Sequence, residues 1–307
     1  MNKKMVGIVA LLGIAAAACG AIFICLLFLL ILPVWHVPAL SPEQSFATTP
    51  AQVSTVATQS LRAGEERVMG GAPMMFVPAG EFRMGSSDAD KDAQDNEKPQ
   101  HVVSLDAFWM DKFSITNAQY EKCADAGKCA PPEDTGSRRR SSYYGDPQFD
   151  DYPVIYVSWA DAKQFCESAD KRLPTEAEWE KAARGTEAFF YPWGNAWDQT
   201  KVYDWSSNPK GSDTLQVGSF PAGASPYDVM DMAANVSEWV ADWYADDYYS
   251  QAPSHNPQGP SSGDEKVLRG SAWYAARTSF RTANRDRAAP TLQSDHIGFR
   301  CAASFSS

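Results

Sequence analysis

The side chains best suited to chemistry lie close together near the C-terminal end of the chain. Between Arg269 and Arg300 come the hydroxyls of Ser271, Tyr274 and Ser279, the rings of Trp273, Phe280 and Phe299, and the imidazole of His296. Interleaved with them are the guanidinium groups of Arg277, Arg281, Arg285, Arg287 and Arg300. Guanidinium forks beside aromatic faces suit a groove for an anionic or peptide ligand. The same arginines could instead pair internally with the many acids, while the rings simply pack. Metal chemistry is poorly provided for. The four histidines, His36, His101, His255 and His296, show no facial-triad clustering, and there is no Cys-x-x-Cys pair.

Two further patterns carry weaker signals. Asp88-Ala-Asp90-Lys-Asp92 imitates the opening of a calcium-binding helix-loop-helix, but Ala93 replaces the required glycine and Pro99 stands where the bidentate glutamate belongs; a solvated loop is expected. Arg138-Arg139-Arg140, in a Ser/Gly/Pro-rich stretch, reads as an exposed basic triplet rather than a phosphate patch.

The elements that must position these residues can be read from local rules. Thr116 with Gln119, Ser158 with Asp161 and Thr175 with Glu178 have capping-box spacing and mark three helix starts. The second helix carries Trp159, Ala162, Cys166 and Ala169 at helical spacing, turning Cys166 inward. The third runs from Glu176 to about Arg184 and stops at Gly185. Elsewhere the chain is short apolar runs broken by Pro and Gly, such as Met75-Phe76-Val77-Pro78, Val102-Val103-Ser104-Leu105 and Val217-Gly218-Ser219-Phe220. No strand-helix alternation suggests a doubly wound sheet, so an α+β domain with much irregular structure is expected.

With 307 residues there is room for one large domain. A formal net charge of −11 argues against nucleic acid, whose binding depends on neutralising phosphates. Lys3 and Lys4 precede an uncharged run from Met5 to Leu32. At the α-helical rise this run reaches roughly 42 Å, against a hydrocarbon core of ~30 Å. A simple cleaved signal needs a shorter apolar region. Ala16-Ala17-Ala18-Cys19 offers a lipidation or cleavage reading, but Ala16 is not a large aliphatic and apolar sequence continues beyond Cys19. The expectation is a single-pass anchor in the cell membrane over 1–35, lysines inside and the C-terminal domain extracytoplasmic. A flexible Pro/Ser/Thr-rich linker follows over 36–70, and the folded domain occupies 71–307.

Cysteine usage fits an exported domain. Cys19 and Cys25 fall in the apolar run, leaving Cys123, Cys129, Cys166 and Cys301. The close spacing of Cys123 and Cys129 favours a local bridge, with Gly127 allowing the turn. Cys166 with Cys301 would then close a long loop, for which chain entropy estimates ~4–5 kcal/mol. No free thiol is expected among the four.

Several motifs together resemble the formylglycine-generating enzymes, or sulfatase-modifying factors. Met75 to Ser86 is similar to the family's opening strand pair, Leu173 to Glu180 to its most recognisable helix, and Tyr191-Pro-Trp-Gly-Asn195 to the loop that follows. Asp231 to Trp239, Val267 to Arg281 and Gly298-Phe-Arg-Cys-Ala302 complete the order. The resemblance implies a fold related to C-type lectins and supports pairing Cys166 with Cys301. The family's other bridge is absent, with Ala183 and about Thr282 in its place.

In active relatives two cysteines, five positions apart, hold copper(I); aligned on Arg269-Gly270-Ser271, their positions fall on Tyr274 and Ser279. Ala275 stands where many relatives carry a histidine, and Ser271 matches a family serine. His296 occupies a position that is often Asn. Copper is therefore not expected, nor the three histidines of iron sulfoxide synthases. The groove set implied is Ser271, Trp273, Tyr274, Ser279, Arg281 and His296, with no catalytic residue assigned. Structural Ca²⁺ is implied at Ala233, Ala234, Val236 and Glu238, and more weakly at Asp204, Trp205 and Asp213. The expected function is a membrane-anchored accessory module of bacterial type that binds a protein, peptide or other ligand, without formylglycine-generating activity. The alternative is a divergent metal-dependent oxidoreductase of the same family.

Overall fold

The structure, a computed structural model, describes residues 61–203 and 212–306. The expected membrane span and most of the linker lie outside the described residues. Among the described residues no helix is long and apolar enough to cross a membrane.

Among the described residues, ten short strands and three α-helices form the frame. Strands β1 (Glu66–Met69), β2 (Ala72–Val77), β3 (Gly80–Met84), β4 (His101–Leu105) and β5 (Phe108–Asp111) precede the helices α1 (Asn117–Asp125), α2 (Trp159–Ser168) and α3 (Glu176–Arg184). After them come β6 (Ser237–Trp243), β7 (Lys266–Arg269), β8 (Asp286–Ala288), β9 (Ile297–Phe299) and β10 (Ala302–Ser304). One sheet has the order β1-β2-β5-β10, a two-stranded ribbon pairs β3 with β4, and the sheet that carries the groove has the order β8-β7-β6-β9. In that last sheet β6 runs antiparallel to β7 and parallel to β9, with Glu238 beside both Arg269 and Gly298. The expected α+β architecture with much irregular connection is what the chain adopts.

Local rules placed the helices correctly. Each of the three begins in a reciprocal capping box on Thr116/Gln119, Ser158/Asp161 and Thr175/Glu178. Both disulfides form as expected, Cys123–Cys129 and Cys166–Cys301. The second joins α2 to the link between β9 and β10, inside a core containing Tyr120, Phe165, Trp239 and Phe299.

The structure refines three local readings. Val217-Gly218-Ser219-Phe220, one of the short apolar runs, forms a turn. Gly218 takes a positive φ of 73°, a Cβ there would lie 2.8 Å from the Phe113 ring, and its N–H donates to Asp231 Oδ2 at 2.7 Å. The Asp88–Asp92 loop is not simply solvated: Asp90 is buried and its carboxylate holds Arg281 at 2.9 Å. Arg281, expected in the groove, is only 3% exposed and forms a two-pronged pair with Glu97 at 2.6 and 2.7 Å. The local sequence places Arg281 next to the groove loop, but its acid partners come from a segment more than 180 residues earlier in the chain.

Helix α3 is the unusual element. Its sequence, Glu-Ala-Glu-Trp-Glu-Lys-Ala-Ala-Arg, is that of a surface helix, yet all nine residues are buried. Burying a charge is costly unless it is paired, and each is met. Glu178 takes a bidentate pair from Arg172, 2.6 Å in each arm. Glu176 takes Arg285 at 2.7 Å. Glu180 receives Gly85 N–H and Arg184 on one oxygen, both at 2.7 Å, and Arg269 on the other at 2.5 Å. Burial alone would raise the Glu180 pKa, but Arg269 and Arg184 outweigh it and hold the carboxyl below its usual range. Lys181 has carbonyl partners, Pro78 at 2.8 Å and Gly80 at 2.9 Å, and burial lowers it to about 8.

Two predictions follow from these buried charges. Glu180→Gln keeps the volume but leaves two guanidinium groups short of a counter-charge; the urea unfolding midpoint should shift by the equivalent of about 3–5 kcal/mol. Asp242 behaves oppositely: burial, then Glu176, push its carboxyl up to about 8 while it accepts Glu176 N–H at 2.8 Å. With a folded value above the unfolded one, its contribution is complete below about pH 4 and is lost as pH rises towards 8. Asp242→Asn should therefore flatten the loss of melting temperature measured between pH 6 and 9.

Candidate functional site

The groove is built where β7 ends. Arg269 is fully buried and Gly270 turns with a φ of 88°. A Cβ on Gly270 would meet the Trp179 ring at 3.0 Å, so the turn is pressed against α3. Ser271 follows with a φ of 60°, an uncommon conformation for a residue with a side chain. Past this point the loop is fastened through its main chain. Trp273 N–H donates to Asn235 O at 3.0 Å, and Thr282 N–H to Phe190 O at 2.8 Å. The Arg269 guanidinium donates to the carbonyls of Thr282, Ala283 and Asn284 at 2.8, 3.1 and 2.6 Å.

Tyr274 stands on this loop as a ridge, 47% exposed, and lines two depressions. On one side, Ser237, Ser271, Ser279, Asn284 and Asp286 surround a volume of about 330 Å³. On the other, Arg138, Arg139, Trp273, Asp295 and His296 border about 460 Å³. The Tyr274 ring meets Trp273 and His296 edge-on, with centroids at 5.2 and 4.9 Å. Partial burial, then Asp286 and Asp295, push its phenol above the ordinary range, so the hydroxyl stays protonated at neutral pH. His296 Nδ1 lies 2.9 Å from Asp295 Oδ1 and 2.6 Å from Ser294 Oγ. The Ser271 hydroxyl donates to the Ser279 carbonyl at 2.9 Å, which commits it to holding the loop.

The expected groove residues thus come together with one exception. Ser271, Tyr274 and Ser279 share one depression, Trp273, Tyr274 and His296 the other, and Arg281 belongs to the interior. Neither a neutral phenol nor an alcohol is a soft ligand, and the four described cysteines are consumed in disulfides. The residues at the two family cysteine positions therefore do not fit copper(I). Arg138 and Arg139, read from sequence as an incidental exposed triplet with Arg140, are the groove residues that local reasoning missed. The available signal was a basic cluster in a strongly acidic chain.

The Glu238 and Asp213 carboxylates of the two calcium sets are engaged by protein donors. Glu238 Oε1 accepts Ser114 Oγ at 2.6 Å and Arg300 at 2.9 Å; Oε2 accepts Trp179 Nε1 at 2.8 Å and Arg300 Nε at 2.7 Å. With all four acceptor sites engaged, this carboxylate does not fit as a calcium ligand beside the carbonyls of Ala233, Ala234 and Val236. In the weaker set, Asp213 accepts from Ser137, the Arg139 N–H and the Thr214 N–H, and pairs with Arg140 at 3.1 Å. Asp204 and Trp205 lie outside the described residues. Asn235, in a glycosylation-type Asn-x-Ser triplet, is 5% exposed and exchanges hydrogen bonds with Leu215.

A family model described as sulfatase-modifying factor enzyme 1-like domain matches residues 60–305. The chain belongs to that family. It is 31% identical to the mouse formylglycine-generating enzyme, covering 75% of this chain and 74% of that one. It is 37% identical to the serine/threonine-protein kinase pkn1 of Chlamydia caviae over 75% of this chain, but spans only 37% of that relative's length. Among solved structures, PvdO from Pseudomonas aeruginosa superposes with a TM-score of 0.68 at 27% identity, covering 80% of this chain and all of that one. The sulfatase-modifying-factor fold is thus shared with both an enzyme named for formylglycine generation and a protein named as a kinase.

Calcium dependence can be tested by melting. Because the Glu238 and Asp213 carboxylates are already filled, millimolar CaCl₂ against EDTA should leave the melting temperature unchanged within about 1 °C. For a domain of this size a stabilisation of 1 kcal/mol would move it by roughly 2–4 °C.

Proposed function

We propose that this chain is a ligand-binding member of the sulfatase-modifying-factor family, in which the groove astride Tyr274 receives a protein or peptide segment and formylglycine is not generated. The domain would act outside the cytoplasm, held to the cell membrane by the apolar run from Met5 to Leu32. The observation that carries the reading is Tyr274 itself. At a position where the resemblance calls for a thiol, the groove presents a protonated phenol ring, half exposed between two depressions. A ring with one apolar body and one polar tip is well suited to contact and poorly suited to activate oxygen. The identity with relatives named as formylglycine-generating enzymes supports a groove shaped for an extended peptide. The kinase name belongs to a protein of which this chain matches only a part, and adds nothing to the proposal.

The test uses the full-length chain with copper(I), oxygen and a Cys-x-Pro-x-Arg peptide, read by mass spectrometry for conversion of the cysteine to an aldehyde. No aldehyde above a metal-only control is expected. Turnover above that control would overturn the proposal in favour of a divergent metal-dependent oxidoreductase.

A further inference from the structure

The depression beside His296 has a chemistry that the family resemblance does not supply. Arg138 and Arg139 are exposed, and neither guanidinium makes a hydrogen bond or ion pair among the described residues. Their backbone, in contrast, is firmly held. Ser137 Oγ and the Arg139 N–H both donate to Asp213 Oδ2, at 2.6 and 3.0 Å, and Ser137 N–H donates to Arg140 O at 2.8 Å. Arg140 completes the anchor. It pairs with Asp213, donates to Thr214, and lies over the rings of Phe149 and Tyr152 at 4.8 and 5.0 Å. One arginine of the triplet and one aspartate thus neutralise each other and fix the loop, leaving two positive charges presented to the depression. Bordering the same depression are the Trp273 and Tyr274 rings and the Asp295–His296 pair, in which Asp295 Oδ1 lies 2.9 Å from His296 Nδ1.

Two unpaired guanidinium groups on a rigid loop, in a chain of formal net charge −11, make a local anion trap with an aromatic wall. The far side of Tyr274 narrows the kind of anion. There the lining includes Asp286, whose exposed carboxylate accepts the neighbouring Arg287 N–H at 2.8 Å. A uniformly negative polymer or lipid surface crossing Tyr274 would meet Asp286 and the acidic body of the domain. A peptide can instead be acidic on one side of the ridge and neutral or basic on the other. Resting on the ligand-binding reading above, we infer that Arg138 and Arg139 form a carboxylate subsite for an acidic stretch of a peptide lying across Tyr274.

The experiment compares two biotinylated peptides on a biosensor with the full-length chain at low salt: Phe-Glu-Asp-Glu-Phe and its amide twin Phe-Gln-Asn-Gln-Phe. The acidic peptide should bind on the order of tenfold more tightly, a preference that weakens at high salt. The double variant Arg138→Ala/Arg139→Ala, which removes no internal contact, should erase that preference without lowering the melting temperature or the affinity of the amide twin. Tyr274→Ala should weaken both peptides. Equal binding of the two twins, both lost in Tyr274→Ala, would overturn the carboxylate subsite while leaving the groove intact. An acidic preference that survives the double variant would also overturn it. Inorganic phosphate displacing the acidic peptide at equal concentration would overturn the peptide assignment and make the site one for small anions. Failure of both twins to bind at millimolar concentration would reject the subsite; retention of the Cys-x-Pro-x-Arg peptide then decides the groove separately.

Discussion

The pairing of Glu180 with Arg269 holds the functional half of the domain together. Neither charge reaches solvent, so each depends on its partners, and loss of either leaves the other under-compensated in the interior. Glu180 sits on α3 and also receives the Gly85 N–H, which ties the helix to the end of the β3–β4 ribbon. Arg269 ends β7, and its two terminal nitrogens also donate to the carbonyls of the loop that returns from the groove. A single buried contact thereby sets the distance between helix, ribbon, sheet and groove wall. Around it the pairs Glu176–Arg285, Glu97–Arg281 and Glu238–Arg300 repeat the device, each joining residues far apart in the chain. Interior ionic pairs of this kind need close geometry, and they favour one arrangement of the irregular segments over near alternatives.

This division explains what could be read in advance. The helices were legible because a capping box is complete within four residues, as at Thr175 and Glu178. The Cys123–Cys129 bridge was legible for the same reason, and the Cys166–Cys301 bridge through the remaining cysteine count together with the family resemblance. Burial of α3 was not legible, since its charges are neutralised by Arg172, Arg269 and Arg285, two of which lie far along the chain. Arg281 looked like a groove residue because its chain neighbours are, and only Glu97 and Asp90 reveal where it points. Glu238 likewise looked free until Ser114, Trp179 and Arg300 were seen on its oxygens.

The groove combines two regimes. Its floor is interior-like, with Trp273 and Phe280 buried and main-chain groups satisfied. Its rim is a surface of exposed rings and unpaired guanidinium groups, where partners rather than packing decide which side chains are useful. Arg138 and Tyr274 belong to this rim, and both are set on backbone that is fixed from below.

The fastening of the loop after β7 by its own amides and carbonyls has an evolutionary consequence. Trp273 N–H, Thr282 N–H and the carbonyls grasped by Arg269 do their work whichever side chain is attached at the neighbouring positions. Neither the Tyr274 phenol nor the Ser279 hydroxyl makes a hydrogen bond that the fold requires, so exchange of these two groups for others carries little penalty in folding. Such a frame can lose one chemistry and acquire another through single substitutions, without passing through an unfolded ancestor. Divergence of activity among proteins of this architecture is then limited by what the rim can recognise, while the body beneath it remains the same.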